Sequence, residues 1–143
     1  MLAAESLIRQ RLATIAGVQG VHGLPAVNVE AVAGKKLPAI FVRPLGYRVI
    51  KTLGQAQAAQ IATDYLVVVA VRNVQDVRDG DAARASGGDL ASAVVAHLLG
   101  WQPSTDYQPM QLLPQPPLKP HQEDGLMLLS LGFECPQIIN RVD

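Results

Sequence analysis

Tyr65-Leu66-Val67-Val68-Val69-Ala70-Val71 is the longest unbroken apolar run in the chain. It is short, rich in β-branched residues and free of Gly and Pro, so it predicts a strand covered on both faces. A second apolar segment, Leu90 to Leu99, has helical spacing instead. There Leu90, Val94 and Leu98 form one stripe, with Ala91, Val95 and Leu99 beside it. The helix is expected somewhere within Ala82 to Leu99. Gly87-Gly88 weakens its first half, and Ser86 or Asp89 could cap a late start. Gly100 and Pro103, in Gly100-Trp101-Gln102-Pro103, end it as a C-terminal glycine and a downstream proline do. A buried strand with this helix packed on it is the expected centre of the fold.

Toward the N-terminus, Leu2 to Ala16 reads as an amphipathic helix. Ala4, Ile8, Leu12 and Ile15 fall on one face, Arg9 and Gln10 on the other, and Gly17 is placed to end it. Val27 and Val29 alternate with Asn28 and Glu30, as in a short strand or extended edge. Gly34-Lys35-Lys36 reads as a turn. Ala39 to Arg43 reads as a strand that Pro44 stops. Tyr47 to Lys51 could extend a hairpin arm, and Gly54 to Gln60 is small, polar and uncharged. A compact core does not need such an insert, and long loops of this kind are often functional. The stretch at about 45–62 is therefore read as a projecting arm that orders against another subunit. The central strand is expected from about Ile61 to Val74, followed by a surface turn over Asp76 to Asp81.

Toward the C-terminus, Met110 to Pro120 contains four prolines and can be extended only as an edge or a polyproline-like segment. His121 to Gly125 reads as a polar turn. Leu126 to Cys135 is the last strand. Met127, Leu129, Leu131, Phe133 and Cys135 share its core face, and Leu126 and Leu128 partly cover the other. Pro136 is expected to end it, leaving a short tail. The layout is α+β: a mostly antiparallel sheet of about four to five strands with two helices packed on one face. Two helices cover one face only, so a central strand apolar on both predicts a neighbouring subunit as the second cover.

The length of 143 residues fits one domain with a real core, and 49% of the residues are apolar, which excludes a disordered chain. Twelve basic and twelve acidic residues cancel, which argues against general nucleic-acid binding. The balance is locally uneven. Lys35, Lys36, Arg43, Arg48 and Lys51 fall between Ala31 and Thr63 with no acidic residue among them. They form either a solvated surface or a patch facing an anionic partner. The single cysteine, Cys135, cannot form an intrachain disulfide. The N-terminal residues lack the pattern of a signal peptide, and no apolar run approaches the ~20 residues that span a bilayer. A soluble intracellular protein is expected, with no membrane association.

No catalytic, cofactor or metal motif emerges. His22, His97 and His121 lie far apart without zinc-pair spacing. Cys135 falls on the core face of its strand, as a small hydrophobe would. Gly87-Gly88-Asp89 lacks the Lys and Ser or Thr of a phosphate loop, and close packing of the helix explains its glycines.

In order and spacing, four segments resemble the tail terminator proteins of Mu-like contractile-tailed phages and prophages. They are the N-terminal helix with Ile8, Arg9 and Leu12; Leu37 to Arg43; Tyr65 to Asn73, ending Val71-Arg72-Asn73; and Gly87-Gly88-Asp89 with Leu90 to Leu99 and the Gly-Trp-x-Pro ending. The chain departs from that pattern in its Pro-rich segment. The resemblance spans nearly the whole of residues 1–143 and implies a non-enzymatic virion subunit without cofactor or metal. It would assemble in the host cytoplasm as a homo-oligomer, a hexameric ring on the head-proximal end of the tail tube. Such a ring stops tube and sheath growth and offers a surface to neck or head-completion proteins, while DNA passes its lumen without sequence-specific binding. The implied contact residues for subunit or tube are Arg43, Tyr47, Arg48, Lys51, Gln55, Gln57 and Gln60. Competing readings are another neck or head-closure ring protein, a small hydrolase or transferase using Cys135 or His97, and a binding module with a free sheet edge.

Overall fold

The computed structural model describes residues 2–23, 35–72, 81–123 and 125–142. In chain order the elements are α1 (Ala4–Leu12), β1 (Gly20–Gly23), β2 (Ala39–Leu53), β3 (Ala58–Arg72), α2 (Asp81–Leu98), β4 (Gln111–Leu112), β5 (His121–Glu123) and β6 (Leu126–Asn140). The sheet runs β1-β2-β3-β6-β4, with the short β5 also paired to β6. All pairs are antiparallel except β1 with β2. The α+β class, the mostly antiparallel sheet and the two helices on one face are as the sequence predicted.

β3 is the axis, paired along its length with β2 on one side and β6 on the other. Successive side chains of a strand alternate between faces. Tyr65, Val67, Val69 and Val71 therefore share one face with Ile40 and Val42 of β2 and with Met127, Phe133 and Cys135 of β6. They pack with Ala4, Ile8, Leu12 and Ile15 and with Val94 and Leu98 of the helices. α2 approaches so closely that a Cβ on Gly87 would lie 2.9 Å from Leu129 Cδ1 and 3.4 Å from Val71 Cγ2. Gly87 marks close packing, whereas a Cβ on Gly88 would meet nothing within 4 Å, and the helix begins at Asp81, ahead of both cap candidates. Gly100, at φ +73°, turns the chain out of it. Arg11 joins the helices: its Nε donates to the His97 carbonyl at 3.2 Å, and its guanidinium lies 5.5 Å from the Trp101 ring centre.

The other face carries a second core of Ala39, Phe41, Leu66, Val68, Ala70 and Leu128. These residues are buried within the single chain, Phe41 fully and Val68 to 1%. The expectation that a neighbouring subunit covers the central strand is thus overturned for this stretch. Part of the cover is the Pro-rich segment, laid across β6 as a strap. A Cβ on Gly132 would meet Leu113 Cδ1 at 2.7 Å and Pro117 Cγ at 3.0 Å. The Ser130 hydroxyl donates to the Leu118 carbonyl at 2.6 Å and accepts from its N–H at 3.0 Å.

Several element ends differ from expectation. α1 stops at Leu12 rather than Ala16, though Ile15 remains buried. Arg9 is not on a free polar face; its Nε is buried with no partner among the described residues, and the side chain lies beside Gly23. Leu99 is exposed. His121 to Glu123 forms a strand rather than a turn. Neither Pro44 nor Pro136 ends its strand. β1 pairs only with 39–42, so Pro44 sits where β2 has become an edge, at a register shift. The Pro136 carbonyl accepts from Gln108 N–H at 2.9 Å, on the side away from β3. A residue's nitrogen points the same way as its carbonyl, so the missing N–H costs no bond to β3. The readings of Val27 to Glu30, of Asn73 and Val74 and of the turn at Asp76 to Gly80 lie outside the described residues.

Candidate functional site

Past Pro44 the sheet continues beyond the helices, although the helix-side core reaches as far as Cys135 and Ile61, Ala62 and Thr63 are still buried. Residues 45–53 of β2, 58–64 of β3 and 134–140 of β6 form a three-stranded outer half. The hairpin turns at Gly54 to Gln57, with left-handed φ at Gly54 (55°), Gln55 (57°) and Ala56 (67°). Two non-glycine residues there cost conformational energy, which marks the tip as a held shape. The Gln57 carbonyl accepts the Arg141 N–H at 2.7 Å, tying the tip to the end of the chain.

The outer half exposes large apolar side chains. Tyr47 is 63% exposed and Val49 57%, and Leu45, Ile50, Ile138 and Ile139 are exposed as well. Scattered exposed hydrophobics are ordinary on a surface, whereas a cluster on one sheet extension marks an interaction surface.

The residues proposed from sequence all lie on β2, β3 or the turn between them, in different circumstances. Arg43 is half-buried opposite Leu66, at the boundary with the core. Tyr47 and Lys51 are exposed on β2, and Gln55 is exposed at the tip. Gln57 is exposed while its backbone holds Arg141. Gln60 donates through Nε2 to Gln108 Oε1 at 2.7 Å. Arg48 is engaged within the chain: its Nε lies 3.2 Å from Asp64 Oδ2, and its Nη2 also contacts Glu134 Oε2. Hydrogen bonds first to Asp64 and then to Glu134 raise the guanidinium pKa above its ordinary value. Asp64 and Glu134 stand directly opposite one another on β3 and β6, so Arg48 separates two like charges.

Sequence reasoning placed Val49 and Ile50 in the arm without singling them out, and it missed Ile138 and Ile139. Ile138-Ile139 was the legible signal, since two β-branched residues after Pro136 extend a strand as readily as a tail.

The residues considered for chemistry are used structurally. Cys135 is buried, and burial pushes its thiol pKa up to about 11. That leaves little thiolate at neutral pH. His97 Nδ1 lies 2.7 Å from the Ala93 carbonyl on its own helix. Among the described residues, no group of three or more His, Cys, Asp or Glu could hold a metal ion. No described helix is long and apolar enough to cross a membrane. A cleft of about 350 Å³ beside α2 is lined by Ile15, Pro38, Val71, Leu90 and Asp89 among others, without a nucleophile and base together.

Comparison with known proteins agrees with a structural reading. A chain from the virion of a native gene transfer agent particle superposes with a TM-score of 0.58 at 14% identity, covering 94% of each chain. At that identity the likeness is one of fold. A search of the curated proteins gave no match. The model of the phage tail terminator protein family matches residues 1–142, and the chain belongs to that family.

Proposed function

We propose that this chain is the subunit of a ring seated on the head-proximal end of a phage tail tube. The ring stops addition of tube subunits and, in a contractile tail of the Mu-like kind, of sheath subunits. Its upper surface receives a neck or head-completion protein, and DNA passes through its lumen without sequence-specific binding. A hexamer is the assembly we infer, put together in the host cytoplasm before it joins the virion. The family match supports the position in the tail. The exposed outer half of the sheet is the observation that carries the mechanism. The strands that build the core continue into a region bearing Tyr47, Val49 and Ile138 on its surface. A structural subunit acts by binding, and here β2, β3 and β6 hold that surface rigidly.

Residues 45–62 act as the projecting arm, with Tyr47, Lys51, Gln55 and Gln57 free to meet a neighbour or the tube rim. Arg48 and Gln60 hold the arm's base and flank in shape, and Arg43 stands half-buried at its start. The test is light scattering across a concentration series, followed by co-sedimentation with assembled tail tubes. The expected result is a ring-sized species, alone or on tubes, and tubes that no longer elongate. A protein monomeric at every concentration and absent from sedimented tubes overturns the reading. Loss of tube capping on deletion of 55–60, with folding intact, places the contact on the arm; unchanged capping removes the arm from it.

A further inference from the structure

We propose that Arg48 is a positioning residue: drawn across Asp64 and Glu134 on one face of the outer half, it fixes where Tyr47 and Val49 stand on the other, and with that the contact the arm makes. The proposal deepens the ring reading above and rests on it. Successive residues of a strand point to opposite faces. Tyr47 and Val49 stand opposite Thr63 and Ile61, on the face that carries Tyr65 and Cys135 farther in. Arg48, between them, stands opposite Ala62 on the reverse face, with Asp64 diagonal to it on β3 and Glu134 beyond Asp64 on β6. Gly46, directly opposite Asp64, has no side chain to fill that place, so the long side chain of Arg48 leans into it. Its Nε donates to Asp64 Oδ2 at 3.2 Å and its Nη2 to Asp64 Oδ1 at 3.4 Å, and Nη2 also contacts Glu134 Oε2. One side chain of β2 thus spans all three strands of the outer half.

The span matters because the backbone holds β2 least firmly here. Register shifts at Pro44/Gly46 and Val49/Lys51 leave Gly46 to Val49 as a short unbroken ladder around Arg48. Among the described residues, no strand pairs with the outer side of that ladder. The carboxylates need the guanidinium in turn. Asp64 and Glu134 stand directly opposite one another, which sets their Cα atoms about 4.5–5.5 Å apart. Their side chains are only 22% and 24% exposed. Like charges that face each other and are poorly screened by water push their strands apart. Lys51 shares this face but, among the described residues, makes no ion pair that could replace Arg48. Removing Arg48 therefore unties β2 and sets β3 against β6, while Tyr47 and Val49 stay chemically intact.

The test compares three full-chain variants in co-sedimentation with tail tubes: Arg48→Ala, the triple variant Arg48→Ala/Asp64→Asn/Glu134→Gln, and Tyr47→Ala/Val49→Ala. Hydrogen exchange is followed over residues 45–53. Arg48→Ala is expected to raise the concentration for half-maximal tube capping about fivefold or more, since a small loss in each subunit repeats around the ring. Exchange at 45–53 should speed up, while the unfolding midpoint stays near that of the unaltered chain. The triple variant, rid of the facing charges, is expected to recover capping to within about twofold, and slow exchange with it. Capping left unchanged by Arg48→Ala overturns the proposal while the ring reading stands. Failure of the triple variant to recover also overturns it, because Arg48 would then touch the partner itself. Normal capping by Tyr47→Ala/Val49→Ala has the same force, since the placing of those side chains would carry no contact. An unaltered chain that never caps tubes removes the ring reading and the proposal together.

Discussion

The same three strands do two different jobs along their length. In the inner half, β2, β3 and β6 are buried on both faces, by two helices on one side and in part by the Pro-rich strap on the other. In the outer half they stay paired, and the apolar side chains of β2 and of the end of β6 come to the surface while Ile61, Ala62 and Cys135 stay buried. Backbone pairing alone therefore does not say which part of a strand is core. The boundary falls at Pro44 and Gly46, where β2 shifts register past the end of β1. What lies inside it is optimised for one chain, and what lies outside has apolar surface left for another.

The sharpest way to break this comparison is to truncate an apolar side chain on either side of the boundary. Phe41→Ala is expected to cost about 3–5 kcal/mol in denaturant unfolding, the usual range for an aromatic removed from a packed core. Val49→Ala in the outer half should stay within about 0.5 kcal/mol for the monomer, as exposed substitutions do. Comparable losses for the two would erase the distinction between the halves.

Gly132→Ala asks whether the strap is part of the inner half. The added methyl meets the rigid Pro117 ring as well as the mobile end of Leu113. A cost of about 1–3 kcal/mol is expected from overpacking. Faster hydrogen exchange at Leu118, whose N–H donates to Ser130, is the accompanying readout. Unchanged exchange there would mean the strap is held by something other than Gly132.

The smallest effect is expected at Arg48→Ala. The ion pairs are well exposed on the arginine side, so their loss should cost only about 0–1 kcal/mol, less in high salt. A larger loss would show the outer half to depend on its own charge network, more like a second core.

Much of the inner half was legible in sequence. The Tyr65–Val71 run, the Ala4-Ile8-Leu12-Ile15 stripe and the alternation from Met127 to Cys135 all point the way they pack, because burial leaves a periodic trace. The extent of the strands was not legible. Pro44 and Pro136 read as stops, and nothing local says that the missing N–H would face outward at Pro136 or that β1 would end before Pro44. The double burial of β3 was legible, but its source was not. A strap of prolines without periodicity gives no sign of the face it covers, so the second cover was assigned to a neighbour. At the candidate site, Gly54 to Gln60 stood out as an insert and Tyr47 to Lys51 as a hairpin arm, whereas the pairing of Arg48 with Asp64 and Glu134 joins residues far apart in sequence.

The position of β6 has a consequence for biosynthesis. β6 follows the other described strands in sequence yet lies between β3 and β4 in space, and it pairs with β3 from Leu126 to Asn140. Until β6 has been made, β3 has one bare side and the helix-covered core lacks Met127, Phe133 and Cys135. A nascent or prematurely terminated chain therefore lacks both a finished core and the outer end of β6. Folding of the sheet therefore waits on β6, and the surface bearing Ile138 and Ile139 is complete only once that strand is in place.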